Sequence, residues 1–484
     1  MSALASFKQS FTGMTADSRQ VKPGHLFLAY VGTHSDGRRF IPQAIQAGAT
    51  GVIWDDRDFD WQADWQVSNV AVPGLRQQVG ALAAEYFGRP SEKITMLGVT
   101  GTNGKTSVSQ WVAQCLTTLG QKTAVLGTIG NGFVDETKAL AESANTTPDA
   151  ILLQSMLADY VQQQAKAVVM EVSSHGLEQG RVNGVAFDIA VLTNLSRDHL
   201  DYHLTMEAYA AAKQKLFDWD GLRLSILNAD DVFGQSLMKQ LKQNGKRYMT
   251  YGLAQADVRA TDLKLHELGL TMRVITPQGE TVVNAPVLGR FNAYNILAVL
   301  TTLLGLDISL ENAVAAIAKI KPVNGRMQQF GGRDLPLVVI DYAHTPDALE
   351  KVLTTLREQS PTQLICVFGC GGDRDAGKRP LMGKIGSQLA DQVFVTSDNP
   401  RGESPDLIIQ QIIQGMDRPY QVVADREAAI KKAVFAAKPN DIVLIAGKGH
   451  EDYQEIAGVK HPFSDALVAQ AALANYHSNV RHAS

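Results

Sequence analysis

The chain has 484 residues, 45% of them hydrophobic and 19% charged, with a formal net charge of −4. That length exceeds what one hydrophobic core serves, so about two to four domains are expected, with the composition of a soluble globular protein. A mildly negative total argues against a nucleic-acid or anionic-membrane surface spread over the chain and leaves room for local cationic pockets. Cys115, Cys366 and Cys370 form no C-x-x-C pair, and a sparse, odd count suits a reducing compartment. In "QLICVFGCGG" the latter two read as small residues on and after a buried strand rather than as metal ligands. No basic flank precedes an apolar stretch at the N-terminus, and no run approaches the roughly 18 apolar residues of a membrane span. The expected location is the cytoplasm, with neither membrane nor nucleic acid as a partner.

Short strands and turns fill residues 1–90: "HLFLAYVG", "GATGVIWDD" and "VSNVAVPG", then a helix in "LRQQVGALAAEYFGRPSE" stopped by Gly88 and Pro90. "KITMLGVTGTNGKTS" opens a second unit. Its β-branched or apolar runs "TAVLGT", "AKAVVMEVSS", "FDIAVLTNLS" and "RLSILNADD" alternate with helical stretches, the pattern of a parallel sheet covered on both faces. From 250 to 290 alternating residues predict an antiparallel insertion, and "FNAYNILAVLTTLLGL" and "LENAVAAIAKI" are helices closing the unit. "PVNGRMQQF" reads as a linker. After it "LPLVVIDYAH", "QLICVFGCGG", "DQVFVTSDNP" and "DIVLIAGKGH" form a second, smaller βαβ array.

"LGVTGTNGKTS" misses the usual phosphate-loop spelling G-x-x-x-x-G-K-[ST] by one residue, since Val99 stands where the first glycine belongs. Strand, Gly-rich loop and helix nevertheless follow in the order a phosphate cradle needs. Lys105 would bridge the terminal phosphates and the Thr106 hydroxyl would meet Mg²⁺; the plain alternative is a Gly-rich turn with a solvated lysine. Glu171 ends the apolar strand "AKAVVME", where a carboxylate is costly unless it meets a cation such as Mg²⁺, a capping group or an ion-pair partner. Downstream, His199 and His203 precede a helix that Thr205 can cap. Met206, Tyr209, Ala210, Leu216 and Phe217 mark its apolar face, and Lys213 occupies the missing place on it. Such a lysine commonly snorkels along its stem. The sharper reading is an amine kept neutral and reactive, or converted with CO₂ to a carbamate able to bind Mg²⁺.

"GTNGKT", "NTTPD", "EVSSHGLEQGRV", "TNLSRDHLDYH", "AAK", "FNAYNILA", "GRMQ", "DYAHTPDAL" and "DNPR" together resemble the Mur ligases, over nearly the whole chain and in the family's order. The family's loop is G-x-x-G-T-x-G-K-T, which Gly98, Gly101, Thr102, Gly104, Lys105 and Thr106 match. The resemblance implies an α/β fold of three domains. A small N-terminal UDP-binding α/β domain spans 1–90, and a central P-loop ATPase-like parallel sheet with an antiparallel insertion spans 91–326. A Rossmann-like amino-acid-binding domain spans 327–484. It further implies ATP-dependent amide formation through an acyl phosphate, with Mg²⁺ as cofactor. Lys105, Glu171, His199 and Lys213 are the implied catalytic residues; Thr106, Glu171, His199 and the Lys213 carbamate are the implied metal ligands. For ATP it singles out Gly101, Thr102, Asn103, Gly104, Lys105, Thr106, Ser107, Asn295, Arg326, Asp341 and His344.

For a UDP-MurNAc-dipeptide the matching positions are Ala16, Ser18, Thr33, His34, Ser35, Asn145, Thr146, Thr147, Ser173, Gln179 and Arg181. Thr33-His34-Ser35 departs from the family's frequent His-Gln-Ala. In the last unit every family motif follows an apolar strand, where open α/β sheets bind ligands. There Arg374, Asp398, Asn399, Pro400, Arg401, Gly447 and Glu451 are the expected amino-acid site. Asp-Asn-Pro-Arg marks the family members that add meso-diaminopimelate, and the chemistry agrees. A guanidinium can fork onto the carboxylate that distinguishes diaminopimelate from lysine, but would face lysine's ammonium as a like charge. The implied reaction joins meso-diaminopimelate to the D-Glu carboxylate of UDP-MurNAc-L-Ala-D-Glu, in a cytoplasmic monomer making peptidoglycan precursors. A lysine-adding Mur ligase or a folylpolyglutamate synthetase-like ligase is the nearest rival. A P-loop GTPase or transport ATPase would need N-K-x-D or a transporter signature, and neither is present. A non-enzymatic nucleotide-binding module is disfavoured by the charged groups at the strand ends.

Overall fold

The computed structural model describes residues 3–32, 35–134, 140–141, 145–266, 269–359 and 362–477. Strands β1 (Gly13–Thr15), β2 (His25–Ala29), β3 (Gly51–Trp54) and β4 (Ser68–Ala71) pair in that order as a parallel sheet. Phe27, Ala29, Val52 and Trp54 face one core, and Leu26, Leu28 and Ile53 the other, as period-two alternation requires. The helix Leu75–Tyr86 lays Leu75, Val79, Leu82 and Ala83 on the second face, and the chain turns away at Gly88, with φ +75°.

The central unit holds β5 (Thr95–Thr100), β6 (Thr123–Gly127), β7 (Gly130–Phe133), β8 (Ala167–Glu171), β9 (Ile189–Leu192), β10 (Leu224–Asn228) and β11 (Tyr248–Gly252). The insertion adds β12 (Val258–His266), β13 (Gly269–Thr276) and β14 (Gly279–Ala285), paired antiparallel. One ten-stranded sheet results, in the order β14-β13-β12-β11-β10-β9-β5-β8-β6-β7. Leu97, Val99, Val169 and Val191 pack to one side and Met96, Val168, Met170 and Ala190 to the other. Each buried aliphatic side chain is worth about 1.5–3 kcal/mol, which is why these strands read as unbroken apolar runs. The helix Arg290–Gly305 covers the first side almost wholly buried.

The third unit is a six-stranded sheet, β15-β16-β20-β17-β18-β19, and a separate hairpin. Its strands are β15 (Gln328–Gly331), β16 (Leu337–Asp341), β17 (Leu364–Phe368), β18 (Gln392–Val395), β19 (Gln421–Val422) and β20 (Ile442–Ala446); β21 (Tyr453–Ile456) and β22 (Val459–Pro462) form the hairpin. β15 corrects the reading of "PVNGRMQQF" as linker throughout. Its second half, half-exposed and only partly apolar, pairs antiparallel with β16 as an edge strand. Cys366 and Cys370 are buried with unpaired thiols that burial pushes up to about 12, which leaves them inert. Among the described residues no helix is long and apolar enough to cross a membrane.

Candidate active site

β5 passes into the helix Lys105–Thr118 through Gly101–Gly104. Gly101 and Gly104 have φ of +147° and +86°; a Cβ on the first would collide with Thr193 Oγ1, and on the second with Asn295 Oδ1. The end of β9 clamps the loop. Thr193 Oγ1 donates to the Asn103 carbonyl (2.6 Å), Asn194 Oδ1 accepts from Asn103 N (3.0 Å), and Thr102 N donates to the Asn194 carbonyl (2.8 Å). Lys105 Nζ donates to the carbonyls of Gly101 and Thr102, both at 2.9 Å, and Lys213 Nζ donates to the same Gly101 carbonyl at 2.9 Å. Lys213 is 1% exposed, with Nζ 4.5 Å from the centre of the Tyr209 ring. Burial, then the charge of Lys105, pushes its pKa well below the usual lysine value; burial lowers that of Lys105 too.

Parallel pairing sets Val99 beside Glu171, so the strand position that breaks the loop spelling also carries the acid to the loop's edge. The Glu171 carboxylate accepts from Thr106 Oγ1 (3.0 Å), Thr128 N (2.8 Å) and Thr128 Oγ1 (3.1 Å). Arg326 Nη2 donates to Thr106 Oγ1 at 3.0 Å. His199 follows Asp198, whose carboxylate lies 3.4 Å from His199 Nε2, 3.7 Å from His344 Nε2 and 3.7 Å from Lys378 Nζ. Burial opposes the charge on Asp198, but these neighbours more than offset it and hold the carboxyl well below its usual range. No group of three or more His, Cys, Asp or Glu spaced to hold a metal occurs among the described residues. One carboxylate, a threonine hydroxyl and room for phosphate oxygens is instead a donor set that fits Mg²⁺.

A cavity of about 840 Å³ opens from the loop toward the third unit, lined by Asn103, Gly104, Thr106, Ser107, Asn295, Arg326 and Asp341. Asp341 is buried, which raises its pKa, and its carboxylate accepts from Met327 N at 2.9 Å. His344 is absent from this lining and turns to Asp198 instead. Behind Glu171 lies the 145–181 cluster. Thr146 Oγ1 meets Thr128 Oγ1 (3.1 Å), Thr147 Oγ1 donates to the Glu171 carbonyl (2.9 Å) and to Ser173 Oγ (3.1 Å), and Arg181 donates to Gln179 Oε1 and the Thr147 carbonyl. Ala150, just past Asn145–Thr147, joins the N-terminal core, which also takes Ala16, and Ser18 Oγ donates to Gln43 Oε1 at 3.1 Å. The Ser35 carbonyl accepts from Gly32 N at 2.8 Å, whereas Thr33 and His34 lie outside the described residues.

In the third unit the loops after β17, β18 and β20 converge. Arg401 Nη1 donates to the Gly372 carbonyl (3.0 Å), and its Nε stands 3.3 Å from Glu455 Oε2. The hairpin holds its backbone too, through Arg401 N to the Glu455 carbonyl (3.0 Å) and Ala457 N to the Arg401 carbonyl (2.7 Å). Arg374 is exposed at the rim and donates to the Asp373 carbonyl. Asn399 Nδ2 donates to Glu451 Oε2 (2.8 Å), and Lys448 Nζ donates to Asn399 Oδ1 (2.9 Å) and Glu451 Oε2 (3.0 Å). Asp398 lies 3.8 Å from Arg426, which is paired at 2.7 Å with Asp465, and a Cβ on Gly447 would press on the Asp398 carboxylate. Pro400 closes the turn, its carbonyl against Gly372. Sequence reasoning missed Thr128, Asp198, Lys378 and Lys448, each of which has at least one partner in a distant segment.

A nucleotide-sized cavity on a Gly-rich loop, with a separate charged cluster at the strand ends of the third unit, suits an enzyme that activates one substrate and offers it to another. Family models match in chain order: the Mur ligase family catalytic domain over 10–87, the Mur ligase middle domain over 99–303 and the Mur ligase glutamate ligase domain over 325–449. The chain belongs to the Mur ligase family and is an ATP-dependent, amide-bond-forming ligase. It is 55% identical over 462 residues to the UDP-N-acetylmuramoyl-L-alanyl-D-glutamate–2,6-diaminopimelate ligase of Chromobacterium violaceum, covering 95% of this chain and 93% of that one. The enzyme of the same name from Pseudomonas aeruginosa is 49% identical over 465 residues, covering 95% and 94%. A solved structure of UDP-N-acetylmuramoyl-L-alanyl-D-glutamate–2,6-diaminopimelate ligase matches with a TM-score of 0.70 at 40% identity, covering 97% and 96%. The MurF ligase from Thermotoga maritima in complex with ADP shares the fold at 18% identity, with a TM-score of 0.66 over 97% and 98% of the chains.

Proposed function

We propose that the chain adds meso-2,6-diaminopimelate to the D-Glu carboxylate of UDP-MurNAc-L-Ala-D-Glu, in the cytoplasm, as a step of peptidoglycan precursor synthesis. The observation that carries this reading is Arg401, held by Gly372 and Glu455 beside the Asn399–Lys448–Glu451 network. A guanidinium fixed there suits a second carboxylate and repels a lysine ammonium. Residues 1–90 would take the uridine end, with Ala16, Ser18 and the 33–35 turn. Residues 91–326 would take ATP, and 327–484 the amino acid.

In this reading the D-Glu carboxylate oxygen attacks the γ-phosphorus, ADP leaves, and an acyl phosphate forms. The free amine of diaminopimelate then adds to the acyl carbon, and the tetrahedral adduct expels phosphate as the amine's proton departs. Lys105 neutralises charge on the transferring phosphoryl group, and the N-terminus of the helix Lys105–Thr118 cradles it. Asn295, Arg326 and Asp341 border the nucleotide, while Thr146, Thr147, Ser173 and Arg181 bring the dipeptide end to the edge of Glu171. Glu171, Thr106, His199 and a Lys213 carbamate would hold Mg²⁺, whose role when bound is to screen the carboxylate from the triphosphate. Lys213 fits that assignment: burial favours its uncharged form, which can add CO₂ and lose a proton, and the resulting anion would relieve the crowding of two amines on the Gly101 carbonyl.

Phosphate release from UDP-MurNAc-L-Ala-D-Glu, ATP and Mg²⁺ tests the proposal, with meso-diaminopimelate compared to L-lysine as amine. Release with diaminopimelate at least about 100-fold faster than with lysine, the scale of a buried like-charge penalty, is expected. Equal use of lysine would remove the specificity argument, and no release with either would sink the substrate assignment.

A further inference from the structure

The loop after β20 carries more than the positions matched to the amino acid. Between Gly447 and Glu451 stand Lys448 and His450, and they serve opposite sides. Lys448 is fully buried and ties the loop to Asn399 and Glu451 within its own unit. His450 leaves that unit: its Nε2 lies 3.2 Å from the carbonyl oxygen of Thr128 in the central one. A carbonyl only accepts, so Nε2 carries the proton. Burial, then neighbouring Arg326, pushes the His450 pKa down to about 4, so the ring is neutral at neutral pH. Thr128 in turn gives both its N–H and its hydroxyl to Glu171.

A second connection runs alongside the first. Gly325 packs against the backbone of Gly449 and His450 so closely that a Cβ there would overlap His450 N. The next residue, Arg326, lies over the Tyr342 ring at 4.5 Å and donates to Thr106 Oγ1, which itself donates to Glu171. The amino-acid loop is thus joined to one carboxylate by two routes, through His450 and Thr128 and through Arg326 and Thr106. Only the first is built from a side chain of that loop.

We propose that His450 is a positioning residue for ligation: its hydrogen bond to Thr128 seats the amino-acid loop against the Glu171 site and holds the amine in reach of the acyl phosphate. This rests on the substrate assignment made above. The test compares His450→Leu, which keeps bulk without a donor, with His450→Gln, which can still donate to the carbonyl. Both are made in the full-length protein, with melting temperatures confirming the fold. Three quantities are read: kcat/KM for meso-diaminopimelate, the Kd of ADP, and acyl phosphate trapped by hydroxylamine without amine.

His450→Leu is expected to lower kcat/KM for diaminopimelate about tenfold, the scale of one hydrogen bond in a water-poor site, and to leave ADP binding and trapping within about twofold. His450→Gln should recover most of the loss. The inference is overturned if the leucine variant uses diaminopimelate as well as wild type, or if ADP binding and trapping fall by the same factor. It is also overturned if glutamine does no better than leucine. A wild-type protein that consumes ATP but never diaminopimelate overturns the substrate assignment instead, a result distinct from all of these.

Discussion

The two halves of the site handle charge in opposite ways. Around the phosphate loop the basic side chains rest on neutral oxygens: Lys105 and Lys213 on backbone carbonyls, Arg326 on a threonine hydroxyl. At the strand ends of the third unit three buried or half-buried cations lie against carboxylates: Arg401 against Glu455, Lys448 against Glu451, Arg426 against Asp465 and Asp398; Arg374, at the exposed rim, rests on the Asp373 carbonyl. A carbonyl or hydroxyl can hand its cation to a stronger acceptor at small cost, whereas a buried ion pair cannot be broken without leaving a charge unmatched. The first region is therefore suited to a polyanion, and the second, in the function proposed above, to a zwitterion that leaves it balanced.

The sharpest way to break this contrast is to remove an amine from the phosphate side. Lys213→Ala should lower kcat on the order of 10³-fold, the scale seen when one charged or donor group is lost from a water-excluded transition-state site. If the working form is a carbamate, millimolar acetate or formate should restore part of that activity, and depleting dissolved CO₂ should slow the wild type. A variant that keeps more than a tenth of wild-type turnover would mean that Lys213 only packs against Tyr209.

What the sequence revealed of the two regions differs for the same physical reason. Lys105, Glu171 and Lys213 are visible because each violates a local pattern: a lysine in a Gly-rich turn, an acid ending an apolar strand, an amine on an apolar helix face; Thr106 follows from the loop spelling. The long strands are visible because both faces of each sheet are covered. β15 and the hairpin β21–β22 are not, since short half-exposed strands carry no apolar run. The hairpin's Ala457-Gly458 turn, with φ of +50° and +78°, left only its glycine as a signal, yet that hairpin supplies the carbonyl and carboxylate that hold Arg401. Thr128 was hidden because one of its contributions to Glu171 is a backbone N–H, a group every residue but proline has.

On the zwitterion side the largest effect belongs to Arg401→Ala. Losing a charge-assisted grip on a carboxylate should reduce kcat/KM for diaminopimelate by about 10- to 100-fold, with the Kd of ADP unchanged. Isothermal titration with ADP and steady-state kinetics on the same preparation separate the two. Equal losses in both would show that Arg401 matters for the fold of the crevice rather than for its ligand.

The smallest expected effect lies where the two regions meet, at Asp198, which belongs to the central unit but faces His344 and Lys378 from the third. Asp198→Asn keeps the shape and removes the charge, so Lys378, almost fully buried, loses its carboxylate. The separations of 3.4–3.7 Å are long for hydrogen bonds, so the loss should be modest, about 1–2 kcal/mol. Its pH dependence carries a definite sign. A carboxyl whose folded-state pKa lies below its unfolded value stabilises the fold above that unfolded value, and the contribution fades as pH falls through the folded one. The gap in unfolding free energy between wild type and Asp198→Asn should therefore hold steady from neutral pH to about pH 4 and narrow below it. Urea melts across that range measure it. A gap that widens on acidification would mean that Asp198 is not held charged by its neighbours, and that the junction, like the phosphate loop, leaves its cations without a carboxylate.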